Sequence, residues 1–209
     1  ATTVTYTVTL TNVSQRARTV SYAIAESAAA DDGVVTEGAD YTTIVTKEVT
    51  IPSGGNSNTF TVDVLADPVS EPDEDLTVTV TDGTTYDLES PNVDAVTTIY
   101  DDDNGVRLEV SHITTNEETV QELTYTVTPD FPSARVRNVT YQKTGTTLTT
   151  DYAPGFAGSV DIAAAATTAT FATTVEDNPD SEPDETIIIT LTDGTTYELG
   201  TPITVTTTL

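Results

Sequence analysis

The 209-residue sequence contains no cysteine, no methionine and no tryptophan, and only one histidine. Without cysteine there are no disulfides, no thiolate metal sites and no cysteine nucleophiles. A lone His112 excludes a histidine-rich zinc or iron cage. Positive charge is scarce too: 7 Lys+Arg stand against 34 Asp+Glu, a formal net charge of -27. That balance excludes nucleic acid or an anionic membrane as the main partner and makes cations the natural counterpart. No apolar run approaches the roughly 20 residues of a membrane-spanning helix, so no membrane insertion is expected. Methionine is missing even at position 1, and the chain reads as a processed mature protein or an excised fragment.

Threonine is what the chain has in surplus. Its 48 threonines make up nearly a quarter of the residues, many of them alternating with Val, Tyr, Ile or Leu. Branching at Cβ suits a pleated surface better than a helix, so the composition points to strands. An acidic, cysteine-free, Thr-rich β protein fits a secreted or cell-surface location.

Self-comparison reveals a repeat. Ser70-Glu71-Pro72-Asp73-Glu74 returns as Ser181-Glu182-Pro183-Asp184-Glu185, and Asp82-Gly83-Thr84-Thr85-Tyr86 as Asp193-Gly194-Thr195-Thr196-Tyr197, both 111 positions on. At that offset Asp40-Tyr41 matches Asp151-Tyr152, Phe60 matches Phe171 and Leu88 matches Leu199. Nearer the N-terminus the offset is 119, where Thr5-Tyr6-Thr7-Val8-Thr9 answers Thr124-Tyr125-Thr126-Val127-Thr128. The difference places an eight-residue insertion between Tyr22 and Asp40, in a loop around Glu26 to Gly33.

Each copy reads as short strands between turn signals, as in an all-β sandwich. Val4, Tyr6, Val8 and Leu10 alternate with Thr, so one face packs inward and the other stays wet. Asp82-Gly83 and Asp193-Gly194 give a hairpin signal, and the unbroken Ile187-Ile188-Ile189 suits a strand covered on both sides. Ile162 to Ala166 is alanine-rich, but its counterpart Ile51-Pro52-Ser53-Gly54-Gly55 is a turn, so it is read as a turn. The copies meet at Asp101-Asp102-Asp103, giving domains 1–103 and 104–209. The first copy lacks an equivalent of the strand begun by Val106, Leu108 and Val110, and the second lacks the triple aspartate. Two such complementary deficits are expected of a piece of a longer array, or of a subunit that polymerises by strand complementation.

Acidic groups recur where strands should end: Asp40, then Asp67 with Glu71 and Glu74, then Asp101 to Asp103. Loops gather at the two ends of a sandwich, so acids distant in sequence can meet there. Crowded carboxylates repel one another unless protonated or neutralised by a cation. Ca²⁺ takes 6–8 oxygen ligands in flexible geometry, whereas Mg²⁺ keeps tighter octahedra and zinc favours His or Cys.

The order Asp-Tyr, apolar strand, Asp-x-x-x-Glu-Pro-Asp-Glu, closing strand, Asp-Asp-Asp resembles the Calx-β domain over nearly all of both copies. The resemblance implies two tandem immunoglobulin-like antiparallel sandwiches, each with calcium at the end near the next domain. By position it implies Asp40, Asp67, Glu71, Asp101, Asp102 and Asp103 as ligands in the first copy. In the second it implies Glu118, Asp151, Asp177, Asn178 and Glu182, with the first site the better formed.

Other chemistry has less behind it. His112 has no companion, and a glycosidase acid–base pair would need a sugar cleft, usually lined by aromatics. Asn12-Val13-Ser14 and Asn138-Val139-Thr140 fit the N-glycosylation sequon, which arises by chance in a Thr-rich chain. Arg16, Arg18, Arg135 and Arg137 occupy comparable loops; they are read as surface residues, the alternative being that they meet an acidic patch on a neighbouring domain or chain. The sequence thus predicts a non-enzymatic, calcium-binding structural protein of the cell surface, a filament or adhesin stalk. Its partners would be Ca²⁺ and neighbouring copies or repeats; the alternative is a carbohydrate-binding or adhesive module.

Overall fold

The computed structural model describes residues 2–26, 35–90, 93–116, 118–177 and 183–209. The expected insertion loop lies almost wholly outside them. The chain divides into two compact units, Ala1–Pro68 with Asp73–Ile99, and Val69–Pro72 with Tyr100–Leu209.

The first unit contains β1 (Thr2–Thr9), β2 (Arg18–Glu26), β3 (Glu48–Ile51), β4 (Ser57–Val64), β5 (Glu74–Val80) and β6 (Val93–Ile99). β1 and β4 form a two-stranded antiparallel sheet, and the other sheet runs β3-β2-β5-β6. The alternation read from sequence is the alternation of burial: Tyr6 is buried while Thr5 and Thr7 face solvent. Opposite Tyr6 on β4 is Phe60, whose ring stacks on Tyr6 at 5.2 Å and on Tyr22 at 3.9 Å.

The second unit repeats this plan and extends it. Its strands are β7 (Gly105–Val110), β8 (Gln121–Pro129), β9 (Arg137–Thr144), β10 (Tyr152–Ala153), β11 (Ser159–Ile162), β12 (Ala169–Val175), β13 (Thr186–Leu191), β14 (Glu198–Leu199) and β15 (Thr204–Thr208). The sheets run β10-β12-β8-β7-β14 and β11-β9-β13-β15. β8 and β12 repeat β1 and β4 down to the register, with Tyr125 opposite Phe171. Phe171 stacks between Tyr125 at 5.0 Å and Tyr141 at 4.1 Å, and Phe156 meets it edge-on. Leu123, Val127, Ile187 and Ile189 close the core around these rings. The alanine-rich stretch after β11 is a turn, its Ala166 N–H bonding the Ala163 carbonyl at 3.0 Å.

Two local expectations are revised. Ile188 is only half-buried between buried Ile187 and Ile189, so β13 is covered on one face rather than two. Asp193-Gly194 is not a two-residue hairpin, because β13 and β15 pair across a longer connection. The dipeptide instead turns the chain so that Tyr197 lies against Gly194, where a Cβ would collide with the ring. The Tyr197 hydroxyl donates to the Thr192 carbonyl at 2.8 Å and accepts the Thr140 N–H at 3.1 Å, pinning β9 to the end of β13. Tyr86 does the same in the first unit, donating to Thr81 O at 2.7 Å and accepting Ser21 N–H at 3.1 Å.

Tyr197 is 1% exposed, so Tyr197→Phe leaves the Thr140 N–H short of a partner. The loss expected in urea unfolding is about 1–3 kcal/mol. Tyr86 is half-buried, and water replaces its hydroxyl at smaller cost in Tyr86→Phe.

Candidate metal centre

In the first unit Asp40 closes a turn after Thr36. Its Oδ2 accepts the Thr36 N–H at 2.6 Å and its carbonyl accepts the Leu65 N–H at 2.9 Å, which ties the turn to the chain leaving β4. Three residues beyond β4 comes half-buried Asp67. Asp40 is only 7% exposed, yet it and Asp67 offer carboxylate oxygens within 4.8 Å of each other. Like charges that close repel, and a bound cation relieves the repulsion.

In the second unit the aspartates do three different things. Asp101 is half-buried and works as a double acceptor: Oδ2 takes the Glu71 N–H at 3.0 Å and Oδ1 the Asp103 N–H at 2.9 Å. Its backbone carbonyl takes Arg135 Nη2 at 3.0 Å and Arg137 Nη2 at 3.3 Å. Burial raises its pKa above the ordinary aspartate value; the two backbone N–H bonds and Arg137 pull the other way, and Asp103's charge adds to the rise. Asp102 faces solvent and Asp103 is half-buried. Next to them Asn104 is fully buried, its side chain exchanging bonds of 2.9 and 3.2 Å with the Phe131 backbone.

The ligands expected in the second copy are placed differently. Asp151 is fully buried, accepting the Leu148 N–H and, at 3.0 Å, the Thr150 hydroxyl, while its carbonyl takes the Glu176 N–H at 2.9 Å. That is the turn-closing role of Asp40 over again. Glu118 and Asp177 are exposed, and Asn178 and Glu182 lie outside the described residues. Among the described residues of the second unit, no three of these groups come together.

The surface placement preferred for the arginines does not hold for Arg137. Arg137 is 1% exposed, and Arg135 lies over the Tyr100 ring at 5.0 Å while bonding Asp101. Their recurrence at the offset that relates Arg16 and Arg18 was the available signal. His112 is exposed and hydrogen-bonds Ser111 at 2.9 Å.

Every described element is a strand or a turn, and each unit pairs two sheets around its own aromatic stack. The fold is a tandem antiparallel β-sandwich. No protein-family model matches the chain, and no curated protein is similar to it in sequence. Solved structures similar to the chain include the calcium binding domain CBD12 of CALX1.1, at 16% identity and TM-score 0.43, covering 98% of this chain and 92% of that one. The apo form of the Calx CBD1 domain is 21% identical over 50% of this chain and 95% of its own, with TM-score 0.40. The D0–D1 domain of intimin is 16% identical, with TM-score 0.30, covering 99% and 91%. The described residues contain no helix long and apolar enough to cross a membrane.

Proposed function

We propose that this protein is a calcium-binding, non-enzymatic structural module of the cell surface. Its two domains, residues 1–103 and 104–209, would serve in a filament or adhesin stalk that Ca²⁺ rigidifies. One observation carries the reading: a buried carboxylate, Asp40, with the Asp67 carboxylate within 4.8 Å of it. The donors offered are all oxygens, which fits Ca²⁺ and not a metal wanting nitrogen or sulfur. Asp40 and Asp67 are the residues of the first unit that would hold it; the ligand roles that the resemblance implies for Glu71, Asp101, Asp102 and Asp103 fall on the second unit. Bound calcium supplies neutralisation and a fixed point for flexible turns. An ion that binds only the folded chain adds about 2.7 kcal/mol of stability at a hundredfold excess over its Kd.

Isothermal titration with CaCl₂ tests the ligands. Saturable binding is expected, with MgCl₂ weaker, and Asp40→Asn with Asp67→Asn should weaken calcium binding by about tenfold or more. Undiminished affinity in that double variant overturns the ligand assignment, and absence of heat in the wild type overturns the calcium reading.

A further inference from the structure

A cavity of about 330 Å³ opens along one side of the first unit, lined among others by Tyr6, Val8, Leu10, Val80, Tyr86 and Leu88. Carried along the repeat, these become Tyr125, Val127, Pro129, Leu191, Tyr197 and Leu199. In the second unit those residues surround β7. It pairs antiparallel with β8, Leu108 opposite Val127 and Val106 opposite Pro129, and parallel with β14, Leu199 opposite Val106. Val106 and Leu108 are fully buried there. The first unit's cavity is thus the place that β7 fills in the second.

Its walls carry the marks of a missing strand. Among the described residues β1 pairs with β4 alone, leaving its other edge without a ladder, while β8 has a partner on each side. Val4 and Val8 are half-buried where Leu123 and Val127 are 0% exposed, and Tyr86 is half-buried where Tyr197 is 1% exposed. The Asp87–Leu88 pair, counterpart of β14, forms no strand. The buried core of this unit also falls into two clusters rather than one. An open edge beside an apolar slot is the setting of β-strand addition, in which main-chain bonds supply affinity and alternate side chains fill pockets.

We infer that the groove between β1 and the Tyr86–Leu88 segment accepts an extended peptide strand, with apolar residues at alternate positions and basic residues between them. The apolar alternation is that of Gly105-Val106-Arg107-Leu108-Glu109-Val110, the strand that occupies the equivalent slot. The basic preference follows from the rim, where Asp87, Glu89 and Asp94 line the groove. A second copy of the chain cannot lend its own β7, which is already built into its second unit. The inference deepens the assembly part of the reading above and does not depend on calcium.

The test uses the full chain and a synthetic peptide of the sequence Asn104–Ser111, added in CaCl₂ and, separately, in EDTA. Saturable binding is expected, with backbone amide shifts confined to Thr2–Leu10 and the Tyr86–Leu88 segment. A Glu109→Arg peptide should bind more tightly, and a Leu108→Asp peptide about tenfold more weakly or worse. Binding in either buffer with that order of peptides supports the inference. No binding in both buffers, equal binding of the Leu108→Asp peptide, or shifts confined to β3 overturns it. The calcium titration alone judges the calcium reading, so the two can fail separately.

Discussion

Phe171→Ala lowers the unfolding free energy of the second unit by about 3 kcal/mol, the low end of the cost of emptying a core phenylalanine site, because the ring is partly buried against the core. The ring lies nearly parallel to Tyr141, at 4.1 Å and 5°, and to Tyr125, at 5.0 Å and 11°, so its removal breaks two stacked pairs and leaves a void between the sheets. Aromatic pairs add about 0.5–1.5 kcal/mol beyond the area they bury. Neither tyrosine can swing into the void, because each sits in a paired strand, Tyr125 opposite Phe171 and Tyr141 opposite Leu191. Denaturant unfolding gives the loss, and near-ultraviolet circular dichroism shows the tyrosine signal collapsing in the folded variant. Phe60→Ala in the first unit costs less. Phe60 borders the open cavity, so fewer contacts are lost and the site can relax.

Arg137→Met produces the second large effect, a loss of about 1–3 kcal/mol in the second unit. The guanidinium begins β9, is 1% exposed, and donates to the Phe131 carbonyl at 3.2 Å and the Asp101 carbonyl at 3.3 Å. Methionine fills similar space but removes one donor from each carbonyl, leaving Asp101 O to Arg135 and Phe131 O to the Asn104 side chain. The change also removes a positive charge that holds down the Asp101 pKa, so that pKa climbs further above its ordinary value. A folded-state carboxylate with a raised pKa favours the folded state at low pH and loses that advantage as pH rises through the folded value. The deficit of Arg137→Met against wild type is therefore smallest in acid, where Asp101 is protonated in both, and full at neutral pH. A deficit that stays constant with pH removes Asp101 from the explanation.

These effects mark what could be read from the residues. The 111-residue repeat and the Thr-alternating strands carry the fold, because a period-2 pattern in a half-buried strand records which face packs inward. Phe60 and Phe171 stand at matched places in that repeat and at matched places in the stacks. Burial of Arg137 could not be read, since an arginine between loop and strand looks the same whether its head meets water or the Asp101 carbonyl. Asp40 and Asp151 could be found by the repeat, yet both spend side-chain oxygens on their own turns, a use that spacing does not distinguish from metal binding. Tyr86 and Tyr197 were recognised as repeated residues, but their hydroxyl bonds join segments some 60 positions apart.

Thermal unfolding of the full chain in excess CaCl₂ and in EDTA tests the calcium reading most directly. At a hundredfold excess over Kd the expected stabilisation of about 2.7 kcal/mol corresponds, for domains of about 100 residues, to a midpoint raised by about 10 °C or more. Asp40→Asn with Asp67→Asn should erase that rise without changing the EDTA curve by a comparable amount. Superimposable wild-type curves in CaCl₂ and EDTA would contradict the account.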